Sequence, residues 1–160
     1  MKTLIKGGLA VLAAFLAFTA LARISVPALL GVNVFTAAVI VYAVEEGEIP
    51  GALAGAASGL IVDVFSYGLF GLAGLVKTAT GFLAGFVSRK INVQPPGRLF
   101  VFAFVLAALD LGLWVLLAAL ISSEGIPWAG GWLFFQPVGT AALATSAHVV
   151  LRMIGDRRGR

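Results

Sequence analysis

The chain contains no cysteine and a single histidine, His148. Disulfide frameworks, thiolate metal sites and paired-histidine metal motifs are therefore excluded. Charge is equally scarce. Asp, Glu, Lys and Arg make up 11% of the residues, against about 25% in an ordinary soluble domain. A surface wetted by water cannot be assembled from so few. The sequence has no phosphate-binding loop, no HExxH motif and no acidic metal cluster, so no catalytic, metal or cofactor residue is assigned. The net charge of +4 sits at segment ends rather than in a patch, which gives no case for nucleic-acid binding.

What is present is apolar. Of the 160 residues, 61% are hydrophobic, and the mean hydropathy is +1.07. The solvent for such a chain is lipid, where every backbone N–H and C=O needs an internal partner, leaving helices or a closed barrel. The apolar runs last about 16 to 23 residues and do not alternate, so helices are expected. The expected fold class is all-α, a polytopic membrane protein with about six transmembrane helices in one integral membrane domain, residues 1–160. The spans fall at roughly 5–22, 29–44, 49–67, 70–88, 99–121 and 132–152. The second is short, at about 24 Å of helix. Arg23 to Pro27 separates the first pair; Glu45, Glu46, Gly47 and Glu48 separate the next. Arg89 to Arg98, with Pro95-Pro96-Gly97 inside it, is the longest polar loop.

Positive charge sets the direction. Lys2 and Lys6 precede the first span, Arg89, Lys90 and Arg98 occupy the fourth loop, and Arg152, Arg157, Arg158 and Arg160 close the chain. Six spans put all of these on one side and leave only Arg23 on the other, so both termini of a multi-pass protein are expected in the cytoplasm. A competing reading takes Lys2, Lys6, the following apolar run and Ala20-Leu21-Ala22 as a cleavable signal peptide, which would leave five spans. Aromatic belts fit the six-span reading: Tyr67, Trp128 and Trp132 fall at outer ends and Tyr42 at an inner one, while Trp114 is expected between helices.

The informative stretch runs from Gly51 to Gly85. Gly51, Gly55, Gly59 and Asp63 recur every four residues in the third span, and Lys77, Gly81 and Gly85 do so in the fourth, each set lining one helix face. Folding the spans about residue 70 sets Asp63 opposite Lys77, Gly59 opposite Gly81 and Gly55 opposite Gly85. Small residues let backbones approach closely in lipid, and Gly68, Gly71 and Gly74 supply the turn. An unpaired charge in the bilayer costs roughly 3 kcal/mol, so an Asp63–Lys77 ion pair is the favoured reading; a substrate or proton site and a contact with a partner's membrane helix are the alternatives. Asp110, in mid-span, either joins an Asp63–Lys77–Asp110 cluster or is neutral through protonation.

Ser58, in Gly55-Ala56-Ala57-Ser58-Gly59, and His148 resemble in outline the serine–histidine pair of rhomboid proteases. Ala56 and Leu151 stand where that pattern wants glycine, and the two residues fall at different depths. His148 is expected at the interface beside Arg152, and Gln136-Pro137 is expected to kink or re-enter near the outer surface.

The run GALAGAASGLIVDVFSYGLFGLAGLVKTATGFLAG, Gly51 to Gly85, resembles the core of the rod shape-determining protein MreD family. That family typically shows spaced glycines, an aspartate, a glycine-rich turn and a second small-residue helix, here Gly51, Gly55, Gly59, Asp63, Gly68, Gly71 and the Gly81/Gly85 helix. The resemblance implies a non-enzymatic subunit of the bacterial elongation machinery, which binds the bitopic protein MreC and links cytoskeletal MreB indirectly to the peptidoglycan synthases. It implies a place in the bacterial cytoplasmic (inner) membrane, no catalytic residue and no cofactor. The fold implied is the six-helix arrangement of the substrate-binding subunits of energy-coupling-factor vitamin transporters. Membership of that transporter class is the runner-up, with Asp63, Lys77 and Asp110 as pocket residues and Ala10/Ala14 or Ala13/Ala17 as a docking face. A vitamin pocket, however, needs several convergent polar groups, and the outer loops offer few. A small channel or carrier is the third possibility, without an internal repeat to support it.

Overall fold

The computed structural model describes residues 2–24, 31–65, 70–121 and 132–158. All its regular elements are helical, and no strand occurs among the described residues. In chain order they are α1 (Lys2–Ile24), α2 (Val34–Glu46), α3 (Glu48–Phe65), α4 (Leu72–Ser88), α5 (Pro96–Ile121), a short 3-10 turn (Trp132–Phe135) and α6 (Gln136–Arg158). Helical stretches Ile5–Arg23, Glu48–Phe65, Pro96–Ile121 and Leu133–Ile154 are long and apolar enough to cross a membrane, and Leu72–Ser88 is a shorter apolar helix.

The distribution of side chains is that of a protein dissolved in lipid. Large apolar side chains such as Leu9, Leu16, Leu53, Leu75, Val101 and Leu120 face outward, while Thr36, Ser58, Asp63, Lys77, Thr80, Asp110, Thr140 and His148 are buried. In water that arrangement would expose large apolar patches. In a bilayer it is the stable one, because polar groups find partners only inside the protein.

Helix α2 forms the axis. It is apolar on all sides, as a helix surrounded by others must be, and it packs against every other helix. Its 13 residues are fewer than the expected span of 29–44, for two local reasons. Asn33 caps its start by accepting a hydrogen bond from the Thr36 N–H at 3.1 Å. Gly47, at φ +100°, ends it in a conformation that side chains disfavour, and α3 begins at the next residue. Around α2 the core is built largely from alanine: Ala37, Ala43, Ala84, Ala103, Ala141 and Ala144 cluster with Ile40 and Leu106. Such residues let helix backbones approach where no hydrophobic effect holds them together.

Two proline expectations need correction. Pro96 does not lie in a loop but opens α5, since the first turn needs no N–H from it. Pro137 likewise stands in the first turn of α6, following the 3-10 turn, so Gln136-Pro137 starts a helix rather than kinking one. Tyr67, Gly68 and Trp128 lie outside the described residues. Trp114 is half-buried.

Candidate functional site

The α3–α4 hairpin is the most extensive helix contact in the molecule. Its glycines are in contact as the small-residue rows require, but the register lies two four-residue steps from expectation. A Cβ placed on Gly51 would strike the Gly81 carbonyl and Ala43; on Gly55, the carbonyl of Lys77; on Gly59, Ala73 and Gly74; on Gly85, Gly47 and Glu48. Gly51 thus faces Gly81, where Gly59 was expected to. Gly55 likewise faces Lys77, where Gly85 was expected. Rows that repeat every four residues match themselves again after sliding by a turn, so their spacing leaves the register open.

That shift relocates both charges. Asp63 does not meet Lys77. It sits over the amino end of α4, accepting from the N–H groups of Gly71 at 3.1 Å, Ala73 at 2.9 Å and Gly74 at 2.9 Å. These amides have no partner within the helix, and the helix dipole favours a carboxylate there. Gly71 takes φ +95° to turn the chain into α4. Gly74 belongs to the helix itself, not to the turn.

Lys77, one turn further along α4, is directed at α2 and α5. Its Nζ donates to Thr36 Oγ1 at 2.6 Å and lies 3.2 Å from Asp110 Oδ2. Thr36 in turn donates to Asp110 Oδ2 at 3.0 Å, and Thr80 Oγ1 lies 3.0 Å from Asp110 Oδ1. All four residues are at most 5% exposed. The expected three-charge cluster therefore resolves into two units: a Lys77–Asp110 pair held by two threonines, and a separate Asp63 helix cap. The threonines escaped sequence reasoning. Their signal was polar side chains on otherwise apolar helices, the usual polar glue between membrane helices.

A second set of contacts gathers around the Glu45–Glu48 corner between α2 and α3. Lys6 Nζ reaches Glu46 at 2.6 Å, Arg89 Nε lies 3.1 Å from Glu48, and His148 Nδ1 lies 3.2 Å from Glu45. Tyr42 donates to the Thr3 carbonyl at 2.7 Å. The start of α1, the end of α4 and the later part of α6 thus meet at one end of the bundle. His148 stands at this charged end of the bundle and is 1% exposed, with its Nδ1 turned to Glu45 of α2. Ser58 is also buried, and its hydroxyl bonds the Gly55 carbonyl one turn back at 3.1 Å, so it and His148 serve different partners.

Helix α1 is the least covered, with Ile5, Leu9, Leu12 and Leu16 all more than half exposed. Between it and α3 lies an open groove of about 250 Å³, lined by Gly7, Gly8, Val11, Tyr42, Leu53 and Ala57 among others. No family model matches the chain, and neither does any curated protein or solved structure. Its chemistry must be read from the geometry. The buried polar groups Thr36, Asp63, Lys77, Thr80 and Asp110 satisfy one another or nearby backbone amides, whereas His148 Nε2 is buried without a hydrogen-bond partner among the described residues; the faces left over are apolar and small-residue surfaces.

Proposed function

We propose that the chain is a non-enzymatic membrane scaffold subunit of the bacterial cell-elongation machinery, of the MreD type. It binds an MreC-like single-span protein in the inner membrane and supports peptidoglycan synthesis through it. The observation that carries this reading is the internal satisfaction of every buried charge of the hairpin and α5. Lys77, Asp110 and Asp63 are each bonded within the chain, which builds a stiff bundle and leaves recognition to the outer helix faces. A vitamin-binding subunit would need those groups free for its ligand.

In this reading α1 to α6 are the six spans, with both termini cytoplasmic. The convergence of Lys6, Glu45, Glu46, Glu48, Arg89 and His148 at one end supports it, since positive charge assigns those same segments to one side. The Gly51/Gly55/Gly59 row is consumed by α4 and is unavailable to a partner. The α1–α3 groove takes that role, where Gly8 has open space beside it and Ala57 is exposed. The occupant is the apolar membrane helix of the single-span partner, whose backbone such small residues would admit.

Co-purification from bacterial membranes with an MreC-like single-span protein tests the function. Gly8→Leu with Ala57→Leu should abolish capture while leaving the thermal midpoint of the purified protein unchanged. Failure of the unaltered chain to capture such a partner would overturn the scaffold reading. Capture that survives both substitutions would remove the groove as its seat.

A further inference from the structure

Three carboxylates at the charged end of the bundle are engaged: Glu45 by His148, Glu46 by Lys6 and Glu48 by Arg89. Lys90, Arg98 and Arg152 have no ion-pair partner among the described residues. Lys90 instead stands over an aromatic ring, its Nζ 4.3 Å from the centroid of Phe86. Phe86 stacks on Phe82, with centroids 5.9 Å apart and planes 10° from parallel. Both rings are partly exposed, at 41% and 43%, so an aromatic ladder descends the outer face of α4 from beneath a free cation.

The corner joining α4 to α5 is held in shape. Val93 and Leu99 are buried, and the N–H groups of Lys90 and Ile91 bond the Val87 carbonyl at 2.9 Å and 3.0 Å. Between these anchors Lys90, Ile91 and Arg98 are exposed. The corner from 89 to 98 has no acidic residue. Arg98 stands in the first turn of α5, where the helix dipole disfavours a cation and an anion shared with it would relieve the conflict.

We propose that this α4–α5 corner binds an anionic phospholipid, its phosphate drawn to Lys90 and Arg98 and an acyl chain lying along Phe86 and Phe82. Basic residues at the membrane surface recognise anionic headgroups in this way. The stacked rings give the chain of that lipid a flat apolar track that an exposed basic loop alone would lack. The proposal depends on the membrane-spanning character of the helices and not on the scaffold role.

Native mass spectrometry of the full chain in neutral detergent, titrated with phosphatidylglycerol or with phosphatidylcholine of equal chain length, provides the test. Phosphatidylglycerol adducts should predominate. Removing each cation, as Lys90→Ala and Arg98→Ala, should weaken phosphatidylglycerol binding roughly fivefold, and Lys90→Arg should preserve it. Arg152→Ala, which lowers net charge equally, should have no effect. Phe86→Ala should weaken binding while sparing the preference over phosphatidylcholine. Equal binding of the two lipids would overturn the proposal, as would an equal loss on Arg152→Ala, which would mean that net charge alone attracts the lipid. Displacement of the lipid by millimolar inorganic phosphate would assign the corner to a free anion instead.

Discussion

Gly51 and Gly81 lie backbone against backbone: a methyl group built on either would run into the carbonyl oxygen of the other. The same holds one turn on, where Gly55 faces the carbonyl of Lys77, and again where Gly59 faces Ala73. These contacts hold α3 and α4 together without side-chain bulk between them.

Gly81→Ala should accordingly destabilise the protein by about 1–3 kcal/mol, the usual cost of overpacking, although alanine is intrinsically the better helix former. Gly112→Ala, also within a helix but with open space around it, should be neutral or mildly stabilising. Unfolding in mixed detergent, followed by circular dichroism, compares the two. Equal effects would mean that the hairpin does not pack through its glycines.

Asp63 should behave as a helix cap and not as an ion-pair partner. Asp63→Ala should cost about 0.5–2 kcal/mol and should accelerate hydrogen exchange at the Gly71, Ala73 and Gly74 amides. Asp63→Asn should keep much of the cap through its side-chain oxygen. Unchanged exchange at those amides in the alanine variant would show that the carboxylate is not their acceptor.

The hydroxyls around Asp110 should matter individually. Thr36→Val and Thr80→Val preserve shape while removing a hydrogen bond to a charged group, a loss of about 1.5–3 kcal/mol. Thr78→Val changes the same residue type at the position next to Lys77, where the hydroxyl only returns to the Gly74 carbonyl, and should cost much less. Comparable losses at all three positions would argue against a specific threonine shell around the pair.

The helical class and the close approach of α3 and α4 were legible in the sequence, because apolar length and four-residue glycine spacing each have one physical meaning in lipid. The register was not. A row at Gly51, Gly55 and Gly59 fits Gly81 and Gly85 in more than one alignment, and the decision fell to Asp63, whose need for three amide donors draws the start of α4 over it. Lys77 was thereby freed for Asp110, a pairing the sequence offered only within a larger cluster. Pro96 and Pro137 misled for a related reason: a proline breaks a helix from within but starts one comfortably. The burial of His148 and its contact with Glu45 on a neighbouring helix were not legible, since spacing along one segment does not reveal what packs across it.

Topology can be examined directly, since the chain has no native cysteine. Single cysteines at Phe70, in the α3–α4 turn, and at Ile91, in the α4–α5 corner, occupy exposed positions at opposite ends of α4. In intact spheroplasts a membrane-impermeant thiol reagent should label Phe70→Cys, and should label Ile91→Cys only after the membrane is opened. The reverse pattern would invert the orientation, and labelling of both in intact cells would exclude α4 as a span.

The pairing at the centre of the bundle is tested most directly by a double-mutant cycle on Lys77 and Asp110, run beside one on Lys77 and Asp63. Lys77→Met or Asp110→Leu alone should cost about 3–5 kcal/mol, by stranding a buried charge, and the double variant should recover most of that loss. The Lys77–Asp63 cycle should be close to additive. A coupling that is large for Asp63 and negligible for Asp110 would contradict the arrangement described above.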